Sequence, residues 1–247
     1  LGRGVHGVHT GGDVGFRAGH QGLQAGGPLG RVGPGGVAGN GSGTGNGGNA
    51  LTGNNLFEVI DSTANLVGNF SIFNQSQGGN GASGGSASGG TLTFNASNAT
   101  INLVADANGN AVLSLSGAMQ GGNGTSSGGN ATGTTATVTI TNSTISGGRF
   151  EVNPLAIGGS NAGSGGLSGN ATGAQVTINI TGSQLNLTGE TLFAADAIGG
   201  NGGISGVGGS ATTGDVDVVA TRSTIAIADV VDGSPGILRV RAQALQR

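Results

Sequence analysis

The stretch GGNATG (128–133) followed by TATVTIT (135–141) returns as GNATG (169–173) followed by QVTINIT (175–181). A fixed period of this kind governs the architecture before any local signal does. Further cradles of small residues stand at GGNALTG (47–53), GGSASGG (84–90) and GGSATTG (208–214). They divide the chain into five units of about 40 residues: 39–77, 78–120, 121–157, 158–198 and 199–247. Four units open on a Gly pair, and the first opens on the looser GNG.

Behind each cradle the residues alternate. Val138 and Ile140 oppose Thr137, Thr139 and Thr141. Val176, Ile178 and Ile180 oppose Thr177, Asn179 and Thr181, and Leu92, Phe94 and Ala96 oppose Thr93, Asn95 and Ser97. Val216, Val218 and Ala220 oppose Asp217, Val219 and Thr221. Period two with one apolar face describes half-buried strands. In LFEVI (56–60), Glu58 stands where the alternation predicts an inward residue. Shorter strands follow, as in SQLNLT (183–188), and then longer ones such as RFEVNPLAI (149–157) and GILRVRAQAL (236–245). In the last, Leu238 and Val240 point in and Arg239 and Arg241 point out.

One such unit cannot bury its apolar face alone, and stacked copies bury a continuous core. The expected fold is therefore all-β, a parallel β-solenoid with rungs about 4.8 Å apart. The unit length predicts two rungs per unit and about eight to ten overall, with Gly, Asn and Ser turning corners where φ is positive. A polyproline-II bundle is the runner-up and a β-sandwich the third choice. Collagen is excluded, because Gly, at 58 of 247 residues, does not fall at every third position.

Residues 1–38 differ from the rest: they hold His6, His9 and His20 and lack Asn and Ser. The segment reads as a flexible Gly-rich linker, as an out-of-frame stretch, or as a three-histidine metal site with Asp13 its one nearby carboxylate. The chain begins with Leu1 and shows no terminal cap, so it is expected to continue beyond both ends.

The units GGNATGTTATVTITNSTI (128–145) and 168–203 resemble the passenger regions of repetitive bacterial surface proteins. These are the autotransporter and filamentous-haemagglutinin-type adhesins. The resemblance spans about 39–247. It implies a right-handed parallel β-helix, export to the cell surface, and a role in adhesion, aggregation or biofilm. The partners implied are host or abiotic surfaces, polysaccharide or like molecules. It transfers no catalytic residue.

Composition narrows the chemistry. There is no Cys, hence no thiolate nucleophile, and eight Arg without a Lys leave no basic face for nucleic acid. No apolar run is long enough to span a bilayer as a helix. Calcium-binding toxin repeats need an Asp after G-G-x-G, and GGNGAS (78–83), GGNGTS (121–126), GGSNAG (158–163) and GGNGGI (199–204) lack it. Asp215 with Asp217, or Asp229 with Asp232, are the remaining candidates for an ion. No cofactor is expected. The acids Glu58, Asp61, Asp106, Glu151, Glu190 and Asp196 are isolated in sequence, and no His follows His20, which argues against a catalytic triad and predicts a protein that is not an enzyme. Asn-x-Ser/Thr triplets at Asn95, Asn98, Asn130, Asn142, Asn170 and Asn186 follow from composition alone. The candidate surface is the outward ladder of Thr93, Asn95, Thr137, Thr139, Thr141, Thr177, Asn179 and Thr181. Ice or polysaccharide binding through it is the alternative function, and a polysaccharide-active β-helix enzyme a distant third.

Overall fold

A computed structural model describes residues 38–42, 44–228 and 236–246, with the strands Val14–Ala18, Leu23–Ala25, Gly30–Val32 and Gly35–Val37. The readings of residues 1–38 fall largely outside that set. The three histidines, Asp13, Asp229 and Asp232 lie outside it altogether.

The described chain holds strands and no helix, and its strands pair in parallel. It is a β-solenoid, as expected. The rung count differs from expectation: each repeat closes one coil, not two. Equivalent residues lie 37, 44, 40 and 40 positions apart along the stack. One repeat suffices because it supplies three apolar faces to a single core. In the second coil these are Thr91–Ser97, Thr100–Val104 and Ala111–Gln120. We call the stacks they belong to the first, second and third sheets. A fourth, two residues wide, runs through Ala50–Leu51, Ala87–Ser88, Ala131–Thr132, Ala171–Thr172 and Ala211–Thr212.

The inward columns are in register. Phe57, Phe94, Val138, Ile178 and Val218 stack in the first sheet, and Ala64, Ile101, Ile145, Leu185 and Ile225 in the second. Phe70, Leu113 and Phe150 stack in the third. Nearly all are fully buried, at about 1.5–3 kcal/mol for each large side chain. Glu58 resolves the misfit of the first unit. Phe57 and Val59 are the inward residues, and Glu58 sits in the outward column beside Asn95, whose Nδ2 donates to Glu58 Oε1 at 3.2 Å. A smaller core, lined by Met119, Ala131, Ala156, Ala171 and Ala197, lies between the third sheet and the fourth.

Corners and Gly pairs obey different physics. Between the first and second sheets the chain turns through Asp61, Asn98, Asn142, Gly182 and Arg222, all at positive φ from 48° to 60°. The next residue is usually serine. Ser143 and Ser183 are buried, and each hydroxyl accepts from the previous coil's backbone N–H at 3.0 Å while donating to a carbonyl two residues back at 2.8 Å. Positive φ was also the expectation for the Gly pairs that open each unit, and there it fails. They serve close approach instead. The chain leaves the third sheet through one Gly pair, makes an outer loop, and returns through another. The glycines of the two legs interleave in one hydrogen-bonded file: Gly39, Gly48, Gly79, Gly85, Gly122, Gly129, Gly159, Gly169, Gly200 and Gly209, each N–H donating to the preceding carbonyl at 2.8–3.0 Å. A Cβ on Gly122 would stand 2.0 Å from the Gly79 carbonyl oxygen, so backbone meets backbone with no room for a side chain.

The second coil is lengthened by residues 105–110, because Val104 and Ala111 pair with the adjacent Val67 and Gly68. Asp106 organises this excursion. Its Oδ1 accepts from the N–H groups of Asn108 and Asn110, both at 2.9 Å. The Asn110 N–H above all, with Asn108 and the Asn110 amide, outweighs desolvation and holds the carboxyl below the ordinary carboxylate range. A depressed folded pKa contributes stability that is present above the unfolded value and lost as pH falls through the folded one. An NMR titration should therefore find Asp106 titrating below about 3.9. The Asn108 and Asn110 amides should lose protection from exchange only as that group protonates. A midpoint at or above the ordinary value contradicts the turn.

Candidate functional site: the outward Thr and Asn face

Every residue of the expected ladder lies on the outward face of the first sheet. Thr93, Thr137 and Thr177 form one column, continued by Asp217. Asn95, Thr139 and Asn179 form the next, bounded by Glu58 below and Val219 above. Thr141 and Thr181 form a third, between Ser97 and Thr221. The residues are half-buried, each covered on its flanks by its neighbours in the array. Columns lie two residues apart, about 6.7 Å, and rungs about 4.8 Å.

β-branched Thr fits a pleated, half-buried surface, which is the local reason for its use here. Its hydroxyl adds chemistry. Among the described residues, none of the hydroxyls of Thr93, Thr137, Thr139, Thr141, Thr177 and Thr181 has a protein partner. Each offers one donor and two acceptor lone pairs outward. The face is thus a rectangular array of hydroxyls and amides with methyl groups between them.

Asn side chains also tie one coil to the next. Asn40 Oδ1 accepts the Asn80 N–H at 2.8 Å, Asn80 Oδ1 that of Asn123 at 2.7 Å, and Asn123 Oδ1 that of Ser160 at 2.8 Å. Asn130 and Asn170 repeat the arrangement beside the fourth sheet, reaching Asn170 and Ser210. The visible signal was Asn recurring directly after a Gly pair in GGN (78–80, 121–123 and 128–130). These amides join successive coils and are already engaged.

The carboxylates are likewise engaged one by one. Glu151 faces Arg149 at 3.5 Å, Glu190 faces Arg239 at 2.9 Å, and Asp196 faces Arg241 at 2.6 Å. Asp61 accepts from Asn98 at 2.9 Å. Asp215 and Asp217 stand two apart on the outward edge of the last coil of the first sheet. Among the described residues, no three His, Cys, Asp or Glu side chains converge as metal ligands, and no helix is long and apolar enough to cross a membrane.

No family model, no curated protein and no solved structure matches this chain.

Proposed function

We propose that this chain is a structural and adhesive segment of an exported, surface-exposed bacterial repeat protein. Its stacked coils give length and stiffness. The outward face of the first sheet makes contact with polysaccharide or a similar hydroxyl-bearing surface. The observation that carries this reading is the set of partnerless Thr hydroxyls held in register across successive coils. A periodic donor–acceptor array meets a periodic polymer at many weak points, and their joint engagement multiplies into usable avidity.

Adsorption of the full chain to insoluble cellulose, chitin and other glycans tests it. The combined variant Thr137→Val, Thr139→Val and Thr177→Val keeps the β-branched shape and removes three hydroxyls. At about 0.5–1.5 kcal/mol for each hydrogen bond, adsorption should weaken at least about tenfold with an unchanged circular dichroism spectrum. Equal adsorption by the variant and the parent rules the face out. The regular T-x-T spacing also favours ice as the contact surface. Inhibition of ice recrystallisation by the full chain, lost in the same variant, would assign the face to ice instead.

A further inference from the structure

On a different face, the outward side of the third sheet carries a groove of about 290 Å³ near the last described coils. Its centre is Asp196, which stacks between Leu155 and Gln243. Asp196 is only 9% exposed although it points away from the core. Its Oδ2 accepts from the Arg241 guanidinium at 2.6 Å, while its Oδ1 is buried with no partner. Buried carboxylate oxygens are rarely left without a donor, so this one asks for a ligand. We propose that the groove binds a neutral polyhydroxylated ligand, a saccharide unit, with one ligand hydroxyl donating to Asp196 Oδ1 after a small turn of that side chain opens the atom to the groove.

The chemistry of the lining selects that class. Arg241 already neutralises Asp196, so a metal ion or an ammonium group would meet an adjacent positive charge and gain a single contact. An anion would face the carboxylate. A neutral hydroxyl takes the bond without either penalty. The Asn153 and Gln243 amides each add donors and an acceptor, which matches paired hydroxyls. Leu155 and Ile198 give the groove apolar edges for the C–H face of a ring. The inference stands apart from the role proposed for the first sheet, since the two faces share no residue.

The test is backbone NMR of the full chain titrated with cellobiose, maltose, lactose and chitobiose to ~20 mM, a range suited to affinities near 1 mM. Shifts should be confined to residues 153–155, 196–198 and 241–245. Asp196→Asn should weaken the response at least about tenfold. Leu155→Arg fills the groove, sets a guanidinium beside Asp196 and should abolish it. Groove shifts should persist in the combined Thr137→Val, Thr139→Val and Thr177→Val variant, which separates this site from the first-sheet face. The proposal is overturned if no disaccharide moves these amides or if Leu155→Arg responds like the parent. It also fails if Ca²⁺ or ethylammonium produces the shifts and the sugars do not.

Discussion

Replacing Gly122 by alanine should destabilise the fold by about 3 kcal/mol or more, although it adds only one methyl group to a turn-rich stretch. The added carbon would lie 2.0 Å from the Gly79 oxygen, 2.6 Å from its carbonyl carbon and 2.8 Å from the Gly78 oxygen. All three atoms are backbone, fixed in the file of hydrogen bonds that joins the coils, so no rotamer change relieves the contact. Separating the legs also weakens the bonds from Gly122 to Gly85 and from Gly129 to Gly122, at about 1 kcal/mol each. Two controls isolate the cause. Gly39→Ala meets nothing within 4 Å and should be near neutral. Gly165→Ala also has open space but sits at φ 75°, so it should cost only the left-handed penalty of about 1–2 kcal/mol. Denaturant unfolding followed by circular dichroism ranks the three. Equal stability of Gly122→Ala and Gly39→Ala would dismiss the close-approach account.

Phe94→Ala should cost about 3–5 kcal/mol. Phe94 is fully buried and touches aromatic rings in two directions: Phe57 stacks on it at 5.8 Å, and Phe150 meets it edge-on at 5.9 Å. The series extends to Phe70, 4.8 Å from Phe57, and to Phe193, 5.7 Å from Phe150. Deleting Phe94 opens a void in the middle of this series, and neighbours on four stacked coils cannot collapse into it independently. Val218→Ala, in the same column but on the partly exposed last coil, should cost far less. If both variants unfold at the same denaturant concentration, the core is not concentrated where the aromatic series places it.

The strand faces were legible because alternation has one physical meaning. Val138 with Ile140, and Val176 with Ile178 and Ile180, face inward as their spacing requires, and the Thr and Asn residues between them face out. The coil circumference was not legible. A Gly pair carries no side-chain pattern, so nothing in GGN distinguishes a corner at positive φ from two legs in backbone contact. The unit length, long for a single rung, therefore suggested two rungs per unit. Recognising the legs restores one. The contacts that run along the stack were hidden for another reason. Asp196 and Arg241 lie 45 residues apart, and they meet only because Asp196 and Gln243 share a column, a fact of register between coils. Asp196 therefore read as an isolated acid.

The glycine file also separates two kinds of evolutionary freedom. Between Gly79 and Gly85 the outer loop holds five residues, and between Gly159 and Gly169 it holds nine, yet both pairs close on the same 2.8 Å bond. Loops of different length leave the register of the three sheets unchanged, although they pair with one another from coil to coil, Gly81–Ser83 with Gly124–Ser127 and through the Asn80 and Asn123 amides. From Gly79 onward the clasp leaves no room for a side chain. Such a chain can diversify what it displays, coil by coil, on a scaffold that does not change.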